Sequence, residues 1–246
     1  GENSLRGLPD SVTIASNWGN PKFGISPECK ADMEYVQKVK GTKVVVTLFA
    51  QKIGSNVEHQ DVFDTAPIDS RDPEVVRPAI KAYAKALYDA CIADGFDGFD
   101  WDYEYSGVGN KTNPLWSNPV QRAIFIEELS YWFGNGAMDP NRDRGDRPMP
   151  KRRLLFLIDG NISGLELGGD NDRDFLTHYV DYYVLQVYGN KDFGTRVSGV
   201  IKSLNHWVED GLLTKEEIVK RCIVTENFES YAGTGGYFLN MSKYIH

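Results

Sequence analysis

Between Phe96 and Glu104 the chain reads Phe-Asp-Gly-Phe-Asp-Trp-Asp-Tyr-Glu, with acidic and aromatic residues in alternation. A period of two is the pattern of an extended strand. On such a strand Asp100, Asp102 and Glu104 share one face, and Phe99, Trp101 and Tyr103 share the other. Successive carboxyl groups on one face then stand roughly 6.5 to 7 Å apart. Acids so aligned repel one another unless protons or partners intervene. Set deep in a protein, they suit proton transfer to a bound substrate, because burial and mutual repulsion keep one of them protonated near neutrality. The plainer alternatives are an exposed edge strand with scattered acids, or a calcium site. The restrictive spacing favours catalysis. Asp97 has the opposite parity and is expected to be structural.

A second constellation is Gln186-x-Tyr188, which closes the run Asp181 to Tyr188 and places both side chains on one strand face. A buried amide and tyrosine satisfied within the core would look the same. Asn17, Trp18, Asp159 and Glu226 also stand at the ends of expected strands, where they can line a site or serve structure. The four histidines, His59, His178, His206 and His246, show no metal-binding spacing, and neither a metal nor a cofactor is expected.

Elements that could position these residues follow in turn. Strands are expected near Thr13, Val45, Phe99, Phe156, Val184 and Val224. Lys43 to Ala50 is nearly all apolar, as in a parallel strand buried on both faces. Ser26-Pro27 should open a helix that Gly41 stops. Asp72-Pro73 should open the clearest helix, with Val76, Ile80, Tyr83, Leu87 and Cys91 on its inner side. Helices are also expected over Gln121 to Phe133, briefly over Phe175 to Tyr179, over Thr195 to Asp210, and from the capping box Thr214-x-x-Glu217. Residues 134–153, rich in Gly, Pro, Asp and Arg, read as a polar loop within one domain spanning residues 1–246. Strands that alternate with helices predict a parallel α/β fold.

Asp97-x-x-Asp100-x-Asp102-x-Glu104, with an aromatic residue before it and Gly98 within it, resembles the D-x-x-D-x-D-x-E motif of glycoside hydrolase family 18. That resemblance implies a TIM barrel with the acidic strand fourth. Counted so, the first and eighth strands are not identified, and Tyr237 to Ile245 could supply a closing element. A doubly wound sheet is the second choice, although no glycine-rich phosphate loop accompanies it. By resemblance, Glu104 is the general acid and Asp102 orients the substrate's 2-acetamido group, whose carbonyl oxygen is the nucleophile. Asp100 shares a proton with Asp102, the Tyr188 hydroxyl holds the acetamido carbonyl, and Gln186 binds sugar hydroxyls. Tyr105 and Trp116, in the long loop beyond Glu104, are candidates for stacking on sugar rings or simply for packing the loop.

Composition narrows the partners. A net charge of −8 and a pI near 5.1 argue against a nucleic-acid backbone or an anionic membrane surface. Cys29, Cys91 and Cys222 cannot all pair and lack C-x-x-C spacing, which argues against a disulfide scaffold or a zinc site. No apolar run reaches the length of a membrane span. A monomer is expected, and the resemblance places it outside the cell, in the periplasm or at the cell surface, although no signal segment is visible. Within the family the expected activity is an endo-β-N-acetylglucosaminidase acting on the chitobiose core of N-glycans, with a chitinase as the alternative. Thr47-Leu48-Phe49-Ala50 departs from the S-x-G-G that chitinases commonly carry, which favours the former. An inactive carbohydrate-binding protein is disfavoured because Glu104 and Asp102 are both present.

Overall fold

In the computed structural model, six strands lie side by side in the order in which the chain makes them, every neighbouring pair parallel. The structure describes residues 4–18, 23–49, 72–103, 119–160, 177–186 and 193–225. The strands are β1 (Ile14–Asn17), β2 (Lys43–Phe49), β3 (Gly98–Tyr103), β4 (Leu155–Gly160), β5 (Tyr182–Leu185) and β6 (Cys222–Val224). Helices α1 (Pro27–Tyr35), α2 (Pro73–Asp94), α3 (Pro119–Ser130), α4 (Phe193–Ser203), α5 (Asn205–Glu209) and α6 (Lys215–Arg221) occupy the connections. Sequential parallel strands with helical crossovers form a curled half-barrel, consistent with an incomplete TIM barrel. All six expected strands are found.

The local signals act as chemistry requires. The Ser26 hydroxyl accepts from Cys29 N at the start of α1, and a π-helical turn over Val36–Lys40 carries that helix on to Gly41, whose φ is 76°. Asp72 caps α2 through Glu74 N, Pro73 fills its first position, and Gly95 ends it at φ 88°. Val76, Ile80, Tyr83, Leu87 and Cys91 are all buried. The Thr214–Glu217 capping box is complete. The helix expected over Thr195 to Asp210 is instead two, α4 and α5, broken at Leu204, where ψ reaches 0°. Leu204 at the break and Trp207 just after it are both buried, so the core dictates the bend.

The aromatic side of β3 lies under α2 and α3. Trp101 meets Phe125 with ring centroids 5.2 Å apart, and Phe99 stacks on Phe156 of β4 at 6.2 Å. Between α3 and β4 the arginine-rich loop is tied down rather than loose. The Arg142 guanidinium lies between the rings of Tyr131 and Tyr179, at 3.8 and 4.1 Å from their centroids. Arg147 forks onto the fully buried Glu128, which Arg77 also reaches from α2 at 2.9 Å. This network binds the two helices to the loop that follows them.

Candidate active site

β3 is held in place at its lower end by Asp97. Its carboxylate accepts from Val44 N at 3.0 Å and Gln37 Nε2 at 2.8 Å, and its own amide donates to Val44 O. The structural role expected for it is thus filled by backbone anchoring. Asp181 repeats the device before β5, accepting from Phe156 N at 2.9 Å while its amide donates to Phe156 O. Above Asp97 the strand passes close to its neighbour. A Cβ on Gly98 would sit 2.6 Å from both Cβ and the carbonyl oxygen of Leu155, so only glycine lets β3 and β4 pair here.

Register then decides which acids meet. Asp100 lies beside Thr47 of β2 and Leu157 of β4, and Asp102 lies beside Phe49 and Asp159. Paired residues in a parallel sheet project from the same face. The face opposite the aromatic one therefore carries Asp100, Asp102 and Asp159 together, and they are 1%, 0% and 3% exposed. Thr47 Oγ1 donates to Asp100 Oδ2 at 3.0 Å, and Ser16 Oγ of β1 reaches the same oxygen at a longer 3.5 Å. From the end of β5, Gln186 Nε2 donates to Asp102 Oδ1 at 3.3 Å.

Burial raises the pKa of Asp100, and the charge of Asp159 raises it further. The hydroxyls of Thr47 and Ser16 pull the other way, leaving the group at about 7. At neutral pH this acid is poised between its two states. Such a group can hold a proton or yield it without a large free-energy change.

Of the other residues singled out by sequence, Asn17 pairs with Val46, which is in register with Phe99. It therefore has the parity of the helix-covered face and is not brought to the acids. Trp18 follows β1 and is 44% exposed. Glu104, Tyr105, Trp116, Tyr188 and Glu226 lie outside the described residues. Sequence reasoning did not single out Thr47 or Ser16 as site residues. Thr47 could have been found, as the one polar residue between Val44 and Ala50 in a strand otherwise wholly apolar. Gln186 is brought to the acids, with its amide engaged by the Asp102 carboxylate.

Among the described residues no group of three His, Cys, Asp or Glu side chains is arranged to hold a metal ion. Cys29, Cys91 and Cys222 are free. No helix among the described residues is long and apolar enough to cross a membrane.

A parallel β/α half-barrel with buried acids toward the carboxyl ends of its central strands holds them where TIM barrels carry their active sites. The comparisons make the class specific. The family model of glycoside hydrolase family 18, BT1044-like, matches residues 2–245, and the chain belongs to that family of glycosidases. Among solved structures it is similar to a substituted selenomethionine form of BT1044, with 24% identity and a TM-score of 0.54, over 93% of this chain and 61% of that one. It is also similar to an endo-β-N-acetylglucosaminidase from Cordyceps militaris in its apo form, with 18% identity and a TM-score of 0.52, over 90% of this chain and 59% of that one. A doubly substituted form of the Cordyceps enzyme, in complex with fucosyl-N-acetylglucosamine-Asn, matches at 17% identity with a TM-score of 0.53, over 90% and 59% of the two chains. At these identities the likeness is one of fold. The chain spans about three-fifths of the length of each of these proteins. No curated protein sequence matches it.

Proposed function

We propose that this protein is a retaining endo-β-N-acetylglucosaminidase that cleaves the β-1,4 bond in the N,N'-diacetylchitobiose core of N-glycans. The observation that carries the reading is the pairing of Asp100 and Asp102 on one buried strand face, with hydroxyl donors below and the Gln186 amide beside Asp102. The Cordyceps endo-β-N-acetylglucosaminidase and its fucosyl-N-acetylglucosamine-Asn complex support the substrate class.

In this reading the substrate's acetamido carbonyl oxygen attacks the anomeric carbon, while Glu104 protonates the departing glycosidic oxygen. The bicyclic oxazolinium that forms carries positive charge beside Asp102. A carboxylate held there by Gln186 stabilises that charge and orients the acetamide. Tyr188 donates to the acetamido oxygen. Water, deprotonated by Glu104, then opens the ring at the same face from which the leaving group departed. This is the substrate-assisted exception to the two-carboxylate scheme. Both steps invert at one carbon, so the product keeps its configuration.

The test is the first anomer released from a chitobiose-containing glycopeptide, followed by NMR, with chitin oligomers run in parallel. A β-anomer from the glycopeptide and inhibition by a thiazoline mimic of the bicyclic intermediate are the expected results. An α-anomer would mean direct attack by water. Turnover of chitin oligomers alone would transfer the activity to a chitinase.

A further inference from the structure

Of the four tryptophans among the described residues, Trp101, Trp132 and Trp207 are buried in the core, and Trp18 is 44% exposed. An indole is the largest apolar side chain, so leaving nearly half of it in water forgoes burial that the other three obtain.

Its place in the fold is specific. Ser16, near the end of β1, turns its hydroxyl to Asp100 Oδ2 at 3.5 Å, so that side chain lies on the acid face. Trp18 stands two residues further on, just past the end of β1 at Asn17, and continues the parity of Ser16. It therefore sits one step above Ser16, at the carboxyl end of the strand, where substrates meet parallel barrels. β1 lies two strands from β3, roughly 10 Å at ordinary strand spacing. At the same remove on the far side of β3, β5 leads to Gln186, whose amide donates to Asp102 at 3.3 Å. The buried acids are thus flanked by a polar amide on the β5 side and by an exposed apolar plate on the β1 side.

A β-linked N-acetylglucosamine chain has the complementary chemistry. Its hydroxyl and acetamido groups lie at the ring edges, and the ring faces present C–H bonds. An indole can cover such a face without stripping water from a hydroxyl. We propose that Trp18 is a stacking platform for the chitobiose ring next to the one held at Asp102. The identity of the substrate rests on the glycosidase reading above, whereas the platform requires only that the disaccharide binds the acid face.

Protein carrying 5-fluorotryptophan reports each indole separately by 19F NMR, and the Trp18 signal is the one absent from Trp18→Phe. The probe is thio-linked N,N'-diacetylchitobiose, whose scissile oxygen is replaced by sulfur so that the disaccharide stays intact. At saturation the Trp18 signal should shift and lose its solvent isotope effect, while those of Trp101, Trp132 and Trp207 hold their positions. By calorimetry Trp18→Ala should bind the probe about tenfold more weakly, as expected for losing roughly 60 Å² of apolar contact. Trp18→Phe keeps a ring and should bind within about threefold of wild type. With a chitobiose-containing glycopeptide, Trp18→Ala should raise KM about tenfold and lower kcat less than about threefold, because stacking holds ground and transition states alike. A Trp18 signal that stays put at saturation, an alanine variant that binds as tightly as wild type, or a loss confined to kcat overturns the proposal. So does a wild-type protein that binds no disaccharide. A protein that binds it through Trp18 yet cleaves no glycan would sink the proposed function and leave the platform standing.

Discussion

The amide of Gln186 spans the breadth of β4 to donate to Oδ1 of Asp102 at 3.3 Å. The two residues are 84 positions apart in sequence, and the contact joins the acidic strand to the second constellation. Gln186→Leu keeps the bulk and removes the donor, so Asp102 loses the bond that favours its charged form. Hydrolysis of a chitobiose glycopeptide should slow by roughly ten- to thousandfold, the range for one positioned donor. Gln186→Glu should be no better, because it adds a fourth acid. Wild-type kcat in either variant would remove Gln186 from the mechanism.

Glu104→Gln conserves shape and removes the acid. Hydrolysis should drop by about two to four orders of magnitude with the thermal transition unchanged, as expected for loss of a general acid. Circular dichroism on heating and glycopeptide turnover together check this. Near wild-type turnover would reassign the acid.

Asp100 gives a signed dependence of stability on pH. Its folded value, about 7, lies above the ordinary aspartate value of about 3.9. The folded state therefore holds more protons than the unfolded state in that interval. The contribution to stability is complete below the unfolded value and is lost as pH rises through the folded one. Each pH unit across this window is worth up to about 1.4 kcal/mol. Asp100→Asn should thus raise the melting temperature relative to wild type more at pH 8 than at pH 5. An equal effect at both pH values would mean that the acid does not titrate between them.

Glu128 is fully buried and bonded to Arg147 and Arg77. Glu128→Gln leaves Arg147 short of its countercharge, while Arg77 keeps Glu127, at a cost of about 3 kcal/mol. Urea unfolding should show the loss, and glycopeptide turnover should not change, because this network lies among the helices that cover the other face of the sheet from the acids. Glu128→Leu paired with loss of both arginines should recover part of the stability.

Much of this protein was legible in its residues. The alternation from Phe96 to Glu104 required a strand with an acidic and an aromatic face, because strand geometry sends successive side chains to opposite sides. The Asp72-Pro73 opening, the Gly41 and Gly95 stops and the Thr214–Glu217 box are local hydrogen-bonding devices, and their consequences are decided within a few residues. The break of α4 from α5 was not legible, since burial of Leu204 and Trp207 against the sheet overrides an unbroken local propensity. The arginine-rich stretch read only as a polar loop because its anchors, Tyr131, Tyr179 and Glu128, come from elements on either side of it and from the helix before it.

The site divides along the same line. Sequence alone established that Asp100 and Asp102 share a face, because that depends only on the strand that carries them. Which other groups stand beside them depends on register between strands, and register is set by close packing such as Gly98 against Leu155. A slip of one residue would have turned Thr47, Asp159 and Gln186 to the helices and left Asp100 without its donor. Only the folded sheet could bring Thr47 from β2, Asp159 from β4 and Gln186 from the end of β5 to one pair of acids. That gathering, together with the exclusion of water from it, moves Asp100 far from the ionisation its residue type alone would give.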